Sequence, residues 1–116
     1  MTEPSWSRHA PVVEEPSIAS VESEGSDKVV KVQGEVDAYS AHQLRACLEE
    51  VTDTPQQRIV VDVNDVGFID SSGVGVLVAS VKRLRQDGRA LVVRRPTRQI
   101  SKLLEITGLR DLVLVD

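Results

Sequence analysis

The segment IVVDVNDVGFIDSSGVGVLVASVKRL, Ile59–Leu84, decides the fold. Its first half holds Ile59, Val60, Val61 and Val63, a nearly continuous apolar run of β-branched side chains. Such a run is how a central strand buried on both faces reads. Its second half places Val74, Leu77, Val78, Val81 and Leu84 at the spacing of one helical face. Between the two lies Gly67-Phe68-Ile69-Asp70-Ser71-Ser72-Gly73-Val74-Gly75. A buried strand feeding an amphipathic helix is the first half of a strand–helix–strand unit. Gly88 closes the helix as its C′ residue, and Leu91–Val93 supplies the next strand.

The same logic extends in both directions. Upstream, Ser40 opens a helix, with Gln43 placed to complete a capping box. Leu44, Cys47, Leu48 and Val51 form its inner face, and Thr52 to Pro55 ends it. Further upstream, Ile18, Val21 and their neighbours make a weak first strand. Gly25-Ser26-Asp27 makes a turn, and Val29–Val32 makes a second strand ending at Gly34. Downstream, Thr97 caps a third helix with Ile100, Leu103, Leu104 and Thr107 inward, and Gly108 ends it. Leu112–Val115 is a short last strand. The order ββαβαβαβ predicts an α/β fold: a mixed sheet of four to five strands with helices packed on it. Its parallel units have right-handed crossovers and the opening hairpin is antiparallel.

Composition bounds the function. The chain has 116 residues, enough for one core, and only Trp6, Tyr39 and Phe68 are aromatic, so the core must be aliphatic. The net charge of −4 gives no overall pull toward nucleic acid or anionic membrane. Residues 1–28 hold six acids and two bases, so they carry the whole imbalance, and residues 29–116 are formally neutral. Residues 1–16, rich in Pro, Ser and Glu, read as a disordered acidic tail, with Trp6 a solvated aromatic rather than a docking anchor. Residues 17–116 read as the single folded domain. One cysteine, Cys47, excludes a disulfide within the chain, and its place in the helical stripe makes it a small core residue rather than a redox centre. No apolar run is long enough to span a bilayer, and the N-terminus lacks the basic-then-apolar order of a signal peptide, so a cytoplasmic location is expected.

Asp70-Ser71-Ser72-Gly73-Val74-Gly75 is the stretch with chemistry in it. Any of Asp70, Ser71 or Ser72 can cap the helix. One cap needs only one side chain, however, and two glycines in a first helical turn each weaken it by about 1 kcal/mol. Glycine there strips away side chains and exposes backbone, as a contact loop requires. The common catalytic patterns fail. A nucleophile elbow needs glycine two residues before the serine, where Ile69 or Asp70 stands. A phosphate-binding P-loop needs Gly-Lys-Ser or Gly-Lys-Thr, and a dinucleotide fingerprint needs glycine where Val78 stands. His9 and His42 belong to no triad or metal cluster. No enzyme, metal or cofactor is indicated. A hydroxyl exposed at a helix start remains, a good acceptor for a phosphoryl group, and residue chemistry alone leaves Ser71 and Ser72 both open.

Taken together, Gly34-Glu35-Val36-Asp37, Ile59-Val60-Val61-Asp62, Phe68 to Gly75 and Gly108-Leu109 resemble the STAS domain, most closely that of bacterial anti-sigma-factor antagonists, over about residues 17–116. The resemblance implies partner switching. The unphosphorylated protein binds an anti-sigma factor that is also a serine kinase of the GHKL ATPase type, which frees the sigma factor. That kinase phosphorylates the serine directly after the aspartate, here Ser71, and a PP2C-type phosphatase reverses it. The resemblance also implies a partner surface at Asp37, Asp70, Ser72, Gly73, Val74 and Gly75.

Two rivals remain. Residues 82–102 hold eight bases against Asp87 alone, the charge pattern of a nucleic-acid footprint. Without an aromatic platform, a solvated face is the better reading of that cluster, and no direct nucleic-acid contact is expected. The other rival is a scaffold subunit of a larger signalling assembly.

Overall fold

A computed structural model describes residues 17–55 and 58–116. The readings made of residues 1–16, including Trp6, lie outside the described residues. In chain order the elements are β1 (Ala19–Glu24), β2 (Asp27–Val36), α1 (Ala41–Thr52), β3 (Arg58–Ile69), α2 (Ser71–Gln86), β4 (Ala90–Arg94), α3 (Arg98–Thr107), a 3-10 turn (Leu109–Asp111) and β5 (Leu114–Val115). They form one mixed sheet in the order β1-β2-β3-β4-β5, antiparallel at β1·β2 and parallel at the other three pairs. Because each crossover moves one strand over in the same direction, right-handed connections put all three helices on one face.

The register explains the continuous apolar run. Val30, Val61 and Val93 lie side by side on β2, β3 and β4 and join the large core beneath the helices. Val29, Val60 and Val92 are in register one residue back and form a separate cluster on the opposite face. All six are buried to 2% exposure or less, which is why polar residues do not alternate there. Polar side chains border that opposite face. Arg94 reaches Glu24 at 3.0 Å and Asp116 at 3.7 Å, and Lys31 reaches Glu22 at 3.4 Å. Arg95 pairs with the buried carboxylate of Asp62. Arg95 holds a left-handed φ of +53°, and its amide donates to the Asp116 carbonyl at 3.1 Å.

Several local readings shift. β2 does not stop at Gly34 but continues to Val36, and β3 runs through Gly67 to Ile69. Gly34 pairs with Val66 and Glu35 with Phe68, so Gly67 is the extra residue of a bulge. These glycines bend the strands rather than end them. The capping box at α1 does not form. Ser40 makes no side-chain cap, and the Gln43 Oε1 accepts instead from the Ile18 amide at 2.7 Å, tying α1 to the start of β1. Along α2 the inner face is Gly73, Val76, Leu77, Val81 and Leu84, while Val74 and Val78 sit half-buried at its border. Cys47 and Leu103 are likewise half-buried against the core. Thr107 is exposed, its hydroxyl donating to the Leu103 carbonyl at 2.8 Å. The last strand is only Leu114–Val115, because the Leu112 amide is still bonded back to the Leu109 carbonyl at 2.9 Å, closing the 3-10 turn.

Other local readings hold. Thr97 accepts from the Ile100 amide at 3.2 Å and caps α3. At the end of α2, the Gly88 amide donates to the Arg85 carbonyl and the Arg89 amide to the Leu84 carbonyl, the paired bonds of a Schellman ending. That turn aims the Arg89 guanidinium at the carbonyls of Thr52 (2.5 Å) and Thr54 (2.7 Å), closing the C-terminus of α1. α1 and α2 are thereby locked side by side.

Candidate functional site

The site lies where β2 and β3 end. Val36 and Ile69 are in register, and the Asp70 amide donates to the Val36 carbonyl at 2.9 Å. The residues just past the two strands, Asp37 and Asp70, are therefore neighbours. Each strand gives way to a helix: Asp70 takes up first-turn amides of α2, which have no intrahelical partners, while Asp37 organises the turn that precedes α1. Asp70 Oδ1 accepts from the Ser72 amide at 2.8 Å and the Gly73 amide at 3.3 Å. Asp37 Oδ1 accepts from the Tyr39 amide at 2.9 Å and the Ser40 amide at 3.0 Å. The Ser40 amide and hydroxyl, with help from the Tyr39 amide, hold the Asp37 carboxyl below its ordinary value. Asp37, not Ser40, organises the entry to α1.

Because Asp70 is the cap, the two serines are released from capping. Ser71 stands at the first helical position, exposed, and Ser72 is half-buried. Among the described residues, neither hydroxyl makes a hydrogen bond. The two glycines part company. Gly73 is buried, and a Cβ there would lie 2.6 Å from Ile69 Cγ2 and 2.7 Å from Val36 Cγ1. Its lack of a side chain lets α2 seat on the sheet, so it faces the core rather than solvent. Gly75 is exposed with open space around it. Val74 is half-buried between them.

Sequence reasoning did not single out the apolar groups around this end. Tyr39 is 88% exposed, Phe68 45% and Ile106 of α3 73%. The available signal was composition: the described residues contain two aromatics, Tyr39 and Phe68, and the core uses neither. The basic stretch 82–102 disperses. Arg83 bonds Asp53 at 2.6 Å, Arg89 closes α1, Arg94 reaches Glu24, and Arg95 holds Asp62. Half of its eight bases are thus committed to acids or carbonyls in different parts of the fold. Among the described residues there is no group of metal-binding side chains, and no helix is long and apolar enough to cross a membrane.

Residues 19–116 match the family model described as "Mlab, STAS domain". The chain belongs to the STAS domain family. This STAS domain is 34% identical over 99 residues to the anti-sigma-B factor antagonist of Staphylococcus aureus, covering 84% of this chain and 92% of that protein. It is similar in structure to an anti-sigma factor antagonist from Mycobacterium paratuberculosis, with TM-score 0.71, 26% identity and coverage of 84% and 82% of the two chains. The phosphorylated form of the Bacillus cell fate determinant SpoIIAA shares the fold, with TM-score 0.67, 21% identity and coverage of 84% and 90%. The bond from the Asp70 amide to the Val36 carbonyl holds the start of α2 beside the end of β2 in this STAS domain.

Proposed function

We propose that this STAS domain is an anti-sigma-factor antagonist switched by phosphorylation of Ser71. Unphosphorylated, it binds an anti-sigma factor and so releases a sigma factor. The anti-sigma factor is a GHKL-type serine kinase that turns the interaction off by phosphorylating Ser71, and a PP2C-type phosphatase restores it. The contact surface is Ser71 with Asp37, Asp70, Ser72, Val74 and Gly75, while Gly73 contributes by letting α2 sit low on the sheet. The reading assigns the chain a binding role in the cytoplasm and no reaction of its own.

The single observation that carries this is the division of labour between neighbours. Asp70 caps α2, so Ser71 is exposed and structurally spare. A phosphate there adds about −1.5 to −2 charges and strong acceptor oxygens. It sits at a helix N-terminus, where the macrodipole and free amides favour an anion. The fold therefore tolerates the group. The penalty falls on the interface, through bulk, desolvation and repulsion from Asp70.

The test is a pull-down from the source cell with wild type and Ser71→Glu in parallel. A kinase-type partner retained by wild type and lost with the variant is expected. Equal retention by both contradicts the switch.

A further inference from the structure

The exposed apolar groups toward the Ser71 end of the sheet lie outside the buried core. An aliphatic core fills the space beneath the helices without either described aromatic. Phe68 and Tyr39 instead stand at the surface, three residues before Ser71 and two residues past Asp37. The bond from the Asp70 amide to the Val36 carbonyl brings these two positions to the same end of the sheet. Phe68 also lines a groove of about 210 Å³ with Ile69, Ile100, Leu103 and Ile106, and Lys102 at its rim. Single exposed apolar residues are ordinary. Here three of the six exposed large apolar side chains among the described residues, both aromatics included, lie toward the end of the sheet that carries Ser71.

We infer that Tyr39 and Phe68, with Ile106, are the anchors that hold the kinase-type anti-sigma factor over Ser71. The occupant is an apolar ridge of that protein, seated in the groove between Phe68 and α3, with Tyr39 beside Asp37 as a further anchor. This rests on the reading of Ser71 as the modified residue. The commitment to that occupant follows from continuity. An enzyme that delivers a phosphoryl group to Ser71 must cover the surface around it, and a specific interface takes about 800 Å² per partner. A footprint of that size centred on Ser71 includes both neighbouring positions. Binding energy concentrates in a few buried aromatic and aliphatic anchors that exclude water around the centre. The geometry then explains why one modification suffices to end binding. A phosphate on Ser71 would fall inside the same footprint, so docking would strip water from a dianion.

The experiment uses the full chain and the purified anti-sigma factor recovered with it, identified by its ATP-dependent phosphorylation of this protein. Affinity, melting temperature and phosphorylation kinetics are measured for wild type, Tyr39→Ala, Ile106→Ser, Phe68→Ser and Leu114→Ser. Leu114 is 56% exposed on β5 and serves as the remote control. Tyr39→Ala and Ile106→Ser are expected to weaken binding at least tenfold and raise KM with kcat little changed, at wild-type melting temperature. Phe68→Ser is expected to do the same, with its melt recorded beside it. Leu114→Ser is expected to bind within twofold of wild type. Binding of both Tyr39→Ala and Ile106→Ser within twofold of wild type overturns the inference while leaving the Ser71 reading intact. Failure of wild type itself to bind or be phosphorylated overturns both.

Discussion

Gly73 and Val36 are in a contact that leaves no room for a methyl group: a Cβ on Gly73 would stand 2.7 Å from Val36 Cγ1. Both nearest neighbours, Val36 and Ile69, are β-branched and buried, so neither can swing aside cheaply. Gly73→Ala is expected to destabilise the domain by about 1–3 kcal/mol through overpacking. The neighbouring glycine gives the opposite sign. Gly75 faces open space, so Gly75→Ala is expected to stabilise by about 0.5–1 kcal/mol, the ordinary gain of alanine within a helix. Urea denaturation of the two variants checks both. Equal effects at the two positions would contradict the packing role assigned to Gly73.

Asp70 holds the first turn of α2 through the amides of Ser72 and Gly73. Asp70→Ala is expected to cost about 0.5–2 kcal/mol, the usual penalty for losing an N-cap, and Asp70→Asn should recover most of it. Thermal melts of the two variants separate capping from charge. If Asp70→Asn restores stability yet still binds the partner poorly, the carboxylate charge contributes to the interface.

Asp62 links acid sensitivity to the polar face of the sheet. Burial pushes its carboxyl upward, but the hydrogen bond from Arg95, the Asn64 amide and the charges of Arg95 and Arg94 outweigh it and hold the group below its ordinary value. A carboxyl lowered in the folded state stabilises above its unfolded value, and that stability is lost as pH falls through the folded value. The same sign applies to Asp37. The urea midpoint of wild type should therefore drop as pH falls from about 5 to about 3. Asp62→Asn should start lower at neutral pH and show a flatter acid limb. Parallel limbs for the two proteins would remove Asp62 from this account.

Much of the fold was legible because apolar periodicity reports burial directly. The run Ile59–Val63 marked the central strand, and the stripes ending at Gly88 and Gly108 marked helices with glycine endings. Glycine was ambiguous elsewhere. Gly34 read as a strand end, but the pairing of β2 with β3 shows that both strands continue, with a bulge at Gly67. Leu77, Val81 and Leu84 of the α2 inner face were read correctly, but Val74 and Val78 took the places of Gly73 and Val76, in part because Gly73 carries no hydropathic signal. The capping box at Ser40 failed for a tertiary reason: Gln43 is claimed by Ile18, 25 residues away. At the site, local helix chemistry pointed to the Asp70-Ser71-Ser72 stretch, and the choice of Ser71 came from the family resemblance. The surface positions of Tyr39, Phe68 and Ile106 were not, because exposure depends on what the rest of the chain packs against.

The central claim is that modification of Ser71 ends partner binding without unfolding the domain. The most direct measurement is phosphorylation of the purified chain by the proposed kinase-type partner, with the modified residue mapped by mass spectrometry and the product tested for binding and melting. The expected result is one phosphate on Ser71, none on Ser71→Ala, loss of binding, and a melting temperature near that of the unmodified protein. A phosphate on Ser72, or a Ser71-phosphorylated chain that binds as tightly as the unmodified one, would contradict it.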